Sequence, residues 1–249
     1  MPADEGEILE RLSLSRDSPR AAELRELRAR VAAAPADPGR AAALARHYFG
    51  LAMADGDSRY VGYAQAALQR WGDADAPPGI LIARAMLRQY RHDFDGALAD
   101  LALALQLDPG NAEAHAWRAA IFMVRADYAQ AAAACAALAA LEDSLQAVAC
   151  SAYVEATTGG TRPAYGRLRA ALAARADAGA GARLWAYTRL AEMAERLGDA
   201  ASADGHFRAA LALGVEDNFL LAAYADFLLR QRRAGEVIAL LRDRDRSDT

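Results

Sequence analysis

The chain has 249 residues, 54% of them hydrophobic, and its 29 basic residues stand against 33 acidic ones for a net charge of −4. That balance argues against a nucleic-acid surface, which needs a clustered basic face, and no apolar run reaches the ~18–20 residues of a membrane span. Every basic residue is arginine, a bias that a GC-rich genome produces together with the abundant alanine.

Residues 1–36 read as an N-terminal helical cap, with a lone helix over 19–34 ahead of Pro35 and Pro38. The first ten residues carry acids and no apolar stretch, so no export leader is visible, although a chain deprived of its leader would look the same. Residues 37–77 read as a divergent helix pair, 40–54 and 60–71, joined by Asp55-Gly56-Asp57-Ser58.

From residue 78 the pattern becomes periodic. Arg84-Ala85 recurs as Arg118-Ala119, Arg91-x-Asp93-Phe94 as Arg125-x-Asp127-Tyr128, Ala97 as Ala131 and Leu101 as Cys135, each 34 residues later. Leu190-Ala191 recurs as Tyr224-Ala225 at the same spacing of 34. A fixed period of this length means stacked helix-turn-helix units, each too small to bury its own apolar face.

The units fall at 78–111, 112–145, 146–183, 184–217 and 218–241, followed by a polar tail over 242–249 that should fray. Within the first, 80–91 and 94–107 are helical and Asp108-Pro109-Gly110-Asn111 closes the unit. Gly159-Gly160, Gly198-Asp199 and Arg232-Arg233 mark the later turns, and a longer connection covers 177–181. Alternating apolar-polar runs are missing, so no strand is expected. About thirteen helices in antiparallel pairs follow.

These residues resemble the tetratricopeptide repeat, whose pattern is W-x2-L-G-x2-Y, then A-x3-F, then a closing proline. In the 184–217 unit Tyr187-x2-Leu190-Ala191-x2-Ala194 stands for the first half and Ala203-x3-Phe207-x2-Ala210 for the second. Leu81, Ala85, Ala97, Leu101, Ala104 and Pro109 hold the matching places in 78–111, and His115, Ala119, Phe122, Ala131, Cys135 and Leu138 in 112–145.

The resemblance implies an all-α, right-handed superhelical solenoid of about five to six units. Ala85 against Ala97, Ala119 against Ala131 and Ala191 against Ala203 would let paired helices approach closely. Leu101 and Phe207 would fill the space toward the next unit. Arg84 and Arg118 depart from the pattern, standing where the family usually has leucine. Each either snorkels its charge to the edge, the favoured expectation, or meets an acid such as Asp100.

The whole chain is also similar to uncharacterised bacterial tetratricopeptide proteins usually made with an export leader. The stretches Asp57-Ser58-Arg59-Tyr60-Val61-Gly62-Tyr63-Ala64-Gln65-Ala66-Ala67-Leu68 and Ala222-Ala223-Tyr224-Ala225-Asp226-Phe227-Leu228-Leu229 carry that likeness. It implies a mature chain without its leader in the periplasm, with a cytoplasmic location as the alternative. The two cysteines, Cys135 and Cys150, are expected as free buried thiols. A disulfide between adjacent helices is the other possibility, and the spacing fits neither a C-x-x-C redox pair nor a zinc site.

In this family the first helix of each unit usually lines a concave face. Transferred position by position, that lining is Ile82, Met86, Gln89 and Tyr90, then Glu113, Ala120, Met123 and Val124 beside Trp117, then Gln146, Tyr153 and Thr157. Trp185, Thr188, Glu192 and Arg196 continue it, followed by Phe219, Asp226 and Arg230. The principal candidates for a peptide-binding groove are Ile82, Met86, Gln89, Tyr90, Trp117, Ala120, Met123, Tyr153, Trp185, Glu192 and Arg196. Methionine and aromatic side chains suit adaptable apolar contact with a peptide or helix. The alternative is that they are core between units.

Chemistry finds little support. His47, His92, His115 and His206 fall in different units without a partner at metal-ligand spacing. Ser13, Ser15 and Ser18 lie in the weakly patterned start, and no nucleophile elbow or phosphate loop is present. Asp93 and Asp95 sit at a turn, where aspartate caps a helix. No catalytic, metal-binding or cofactor-binding residue is therefore expected. The reading is a non-catalytic scaffold with a protein or peptide partner and no nucleic-acid partner. The alternatives are a self-associating assembly subunit, with a weak homodimer as its mildest form, and an enzyme acting through its atypical start.

Overall fold

A computed structural model of the chain describes residues 19–72 and 76–245. Among these residues there are thirteen α-helices and no strand. They are α1 (Pro19–Ala33), α2 (Pro38–Asp55), α3 (Arg59–Leu68), α4 (Pro78–Tyr90), α5 (Phe94–Leu107), α6 (Ala112–Val124) and α7 (Tyr128–Leu141). Then come α8 (Leu145–Thr157), α9 (Thr161–Ala174), α10 (Ala180–Arg196), α11 (Ala200–Leu211), α12 (Asn218–Arg230) and α13 (Ala234–Asp245).

Local chemistry fixes where the helices start. Pro38 and Pro78 occupy first-turn positions, where a missing N–H costs nothing. The side chains of Asp37, Asp93, Asn111, Asp127, Ser144, Asp199 and Asp217 each accept a backbone N–H from the first turn that follows. Within each pair a residue of positive φ reverses the chain: Gly56 (69°), His92 (62°), Ala126 (58°), Gly159 (111°), Gly198 (78°) and Arg232 (58°). Three of these turns use a side-chain-bearing residue, which the surrounding packing must hold in place.

From α2 to α13 consecutive helices pair antiparallel, and α1 packs on α2. The first helix of each pair also contacts the first helix of the next, through α2, α4, α6, α8 and α10. Each second helix packs against the following first helix instead. This asymmetry curls the array, with the first helices inside. The core runs through all the pairs, built on small residues where helices cross: Ala97, Ala131, Ala191 and Ala203 are all fully buried. Phe207 reaches the next pair and lies 5.1 Å from the Tyr224 ring and 5.4 Å from the Phe227 ring.

The curl brings distant parts together. Asn218, at the start of α12, donates from its side-chain amide to the carbonyls of Met53 (2.8 Å) and Ala54 (3.0 Å) at the end of α2. Arg20 of α1 is ion-paired with Asp55 at 3.3 Å and also with Glu216. Arg46 of α2 holds Glu113 of α6 through two hydrogen bonds of 3.1 and 2.9 Å.

Several expectations are corrected. The α10 helix begins at Ala180, inside the expected 177–181 connection, because Ala180 and Ala182 are good helix formers behind the Gly179 cap. The α13 helix continues to Asp245, so the first residues of the polar tail are helical; residues 246–249 lie outside the described residues. The α3 helix stops at Leu68, short of Trp71.

Arg84 does not snorkel. Its Nε and Nη2 close on Asp100 at 2.9 and 2.6 Å, and Asp100 is only 4% exposed. Arg88 is ion-paired with the same carboxylate at 2.9 Å. One repeat later Ala134 stands where Asp100 would be, and Arg118 lies over the Phe122 ring at 5.7 Å instead. The free-thiol expectation is also overturned: Cys135 of α7 and Cys150 of α8 are disulfide-bonded, with Cα atoms 5.5 Å apart. Antiparallel packing of α7 and α8 sets that separation, well within bridging range.

Candidate functional site

The inner wall opens into a groove of about 660 Å³ between α6, α8, α10 and α12. Trp117, Ala120 and Met123 reach it from α6, Tyr153 from α8, Trp185 from α10 and Phe219 from α12. The disulfide forms part of its floor, beside Leu138. Trp117 is held from behind by Phe49 of α2, whose ring meets it edge-on at 6.3 Å. A smaller depression of about 240 Å³ adjoins across Phe219, bordered by Glu192, Glu195, Asp226 and Arg230.

The structure brings together Trp117, Ala120, Met123, Tyr153 and Trp185 from the expected lining, and leaves others apart. Ile82 and Met86 are only 1% and 7% exposed, because α4 is covered by α2 as well as by α5 and α6. They are core, and so is Thr188, which donates its hydroxyl to the Leu184 carbonyl. Gln89 and Tyr90 are half-buried at the end of α4, and Tyr90 packs edge-on to Phe49 at 6.0 Å. Glu192 borders the smaller depression, and Arg196 is exposed, donating to Thr157 Oγ1 at 3.5 Å.

The most unusual group at the groove escaped the sequence reading. Arg189 of α10 is 6% exposed, with its guanidinium between the rings of Tyr153 (4.4 Å) and Phe219 (5.1 Å). Its Nη1 pairs with Glu192 at 2.9 Å, while Nε is buried without an acceptor. Burial raises the pKa of Glu192, and Arg189 and Arg196 oppose that shift. The available signal was the Arg189-x-x-Glu192 spacing, which places the two on one helix face. The transferred lining pattern passes over position 189.

The histidines stand apart from the groove. His206 contacts the Tyr165 hydroxyl at 2.9 Å, and burial lowers its pKa, with Arg169 acting in the same direction. His115 contacts the Pro109 carbonyl at 3.3 Å, and His47 lies 3.6 Å from Glu23. Among the described residues no cluster of three His, Cys, Asp or Glu could hold a metal, and no helix is long and apolar enough to cross a membrane. Ser13, Ser15 and Ser18 lie outside the described residues.

Comparison with solved structures places this arrangement. A tetratricopeptide-repeat protein from Parabacteroides merdae superposes with a TM-score of 0.62 at 16% identity, over 90% of this chain and 85% of the other. The fold is that of the tetratricopeptide-repeat proteins. A chain of the APC/C hetero-tetramer Cut9-Hcn1 gives a TM-score of 0.65 at 14% identity; 90% of the present chain is matched, but it spans only 42% of that longer chain. The type IV pilus biogenesis factor PilW gives 0.55 at 19% identity, over 79% of this chain and 90% of the other. No family model and no curated protein matches the sequence.

Proposed function

We propose that the chain is a non-catalytic protein- or peptide-binding scaffold whose partner lies along the concave wall of the repeat array. The observation that carries this reading is the groove, where apolar and aromatic side chains from four successive inner helices meet a space of about 660 Å³. Trp117, Met123, Tyr153 and Trp185 supply broad contact, and methionine adapts to irregular partners. Gln89, Glu192 and Arg196 stand as a polar fringe. Several arginines on the inner wall are already committed to carboxylates, Arg46 to Glu113 and Arg230 to Glu195, which disfavours a phosphate backbone as the partner. The Cut9-Hcn1 hetero-tetramer offers an instance of the fold within a protein assembly.

The disulfide favours an exported chain in an oxidising compartment. Self-association is the second reading, favoured by Leu229, Ile238 and Leu241, which are about half exposed on the last helix pair.

The test is capture by the immobilised protein from its native extract, run beside a Met123→Ala, Tyr153→Ala variant. A partner retained by the wild type and lost by the variant, at a nearly unchanged melting midpoint, is the expected result. Equal retention by both would remove the groove from the account.

A further inference from the structure

Arg46, Arg84 and Arg230 each use the same edge of the guanidinium, with Nε and Nη2 closing on the two oxygens of one carboxylate. This fork-on-fork pairing is the strongest geometry available to arginine and the hardest to replace. Arg189 is more buried than the other three side chains and does not use that edge. Glu192 pairs with Nη1 at 2.9 Å, and Nε is buried without an acceptor. A buried donor of a charged group left unpaired is costly, and this one belongs to a residue on the wall of the groove.

The rings of Tyr153 and Phe219 hold the guanidinium plane from two sides, which fixes its direction before any partner arrives. Phe219 is 53% exposed and lines the groove, so this side of the guanidinium faces the open space. We propose that the groove selects a segment bearing an internal Asp or Glu side chain, whose carboxylate closes on the Nε–Nη2 edge of Arg189 while a neighbouring apolar or aromatic side chain fills the space beside Trp117, Met123 and Trp185. The carboxylate comes from within the segment, because the groove continues past Phe219 into the second depression and the chain has room to run on. There it passes Asp226, beside the Glu195–Arg230 pair, and a basic or polar residue of the same segment fits against that carboxylate.

This inference rests on the groove being the binding face, and the experiment separates the two. A random dodecapeptide library, displayed inside a loop so that no free carboxyl terminus is offered, is selected on the full chain under oxidising conditions. The expected winners share an acidic residue at a fixed distance from an aromatic or aliphatic one. Replacing that acid by its amide weakens binding at least tenfold on the wild type and has little effect on Arg189→Gln. Arg162→Gln, at an exposed position of the second helix α9 away from the groove, leaves the tenfold difference intact.

If Arg189→Gln does not fold, Glu192→Gln serves in its place. It removes the competing carboxylate and is expected to widen the preference for acidic over amide peptides several-fold. Winners that need Met123 and Tyr153 but carry no fixed acid, or a preference that Glu192→Gln leaves unchanged, would overturn the role of Arg189 and leave the groove standing. Selection of no peptide would overturn both.

Discussion

Arg84 and Arg118 show how little separates two fates for the same residue type one repeat apart. Arg84 finds Asp100 across the α4–α5 crossing, whereas Arg118 faces Ala134 and turns onto Phe122. Asp100 also holds Arg88, so its removal strands two positive charges at a buried crossing. Asp100→Ala is expected to cost about 3–5 kcal/mol, the usual scale for breaking one side of a buried pair, read from the urea midpoint. A loss below about 1 kcal/mol would mean that water reaches the crossing.

His206 gives a pH-dependent test at the same scale. Its folded pKa lies below the ordinary value of 6.5, chiefly through burial. The unfolded chain takes up the proton first as the pH falls, so stability is complete above ~6.5 and declines from there toward the folded pKa. The melting midpoint of the wild type should therefore fall more between pH 7.5 and 5 than that of His206→Gln. Parallel curves would place the imidazole in water.

At the scale of the helix, the small residues at the crossings carry the packing. Ala191 of α10 and Ala203 of α11 are both fully buried. Replacing either by leucine should overpack the crossing and lower stability by about 1–3 kcal/mol, measured by thermal or urea unfolding. An unchanged midpoint for both variants would contradict the close approach. The crossings were legible because the recurrence of Ala97 at Ala131 and the Ala203-x3-Phe207 spacing are local patterns written along the chain.

The capping aspartates were legible for the same reason. The start of α10 at Ala180 was not, since an alanine-rich connection has the same composition as the helix it joins. Arg189 was missed because the family's lining pattern, carried over by position, passes one residue beside it. Ile82 and Met86 were expected on the inner wall and are buried instead. Their burial depends on α2 lying over them, and nothing in residues 80–90 announces that neighbour.

For the whole molecule, the decisive feature is the curl that joins the two ends of the inner wall. Asn218 reaches carbonyls 164 and 165 residues earlier, and Arg20 spans to Glu216. Contacts of that separation leave no periodic trace in a sequence. They are nevertheless what sets α12 and its Phe219 beside the groove between α6 and α10. The described array thus presents two surfaces, an inner wall with an apolar cleft and an outer one of second helices.

A site-specific photo-crosslinker tests that division most directly. It is placed at Ala120, exposed beside the groove, or at Ala132, exposed on the second helix α7, and irradiated with a peptide selected on the full chain. Crosslinking at Ala120 but not at Ala132, abolished by Tyr153→Ala with Met123→Ala, is the predicted result. Crosslinking at Ala132 and none at Ala120 would contradict the assignment of the concave wall as the binding face.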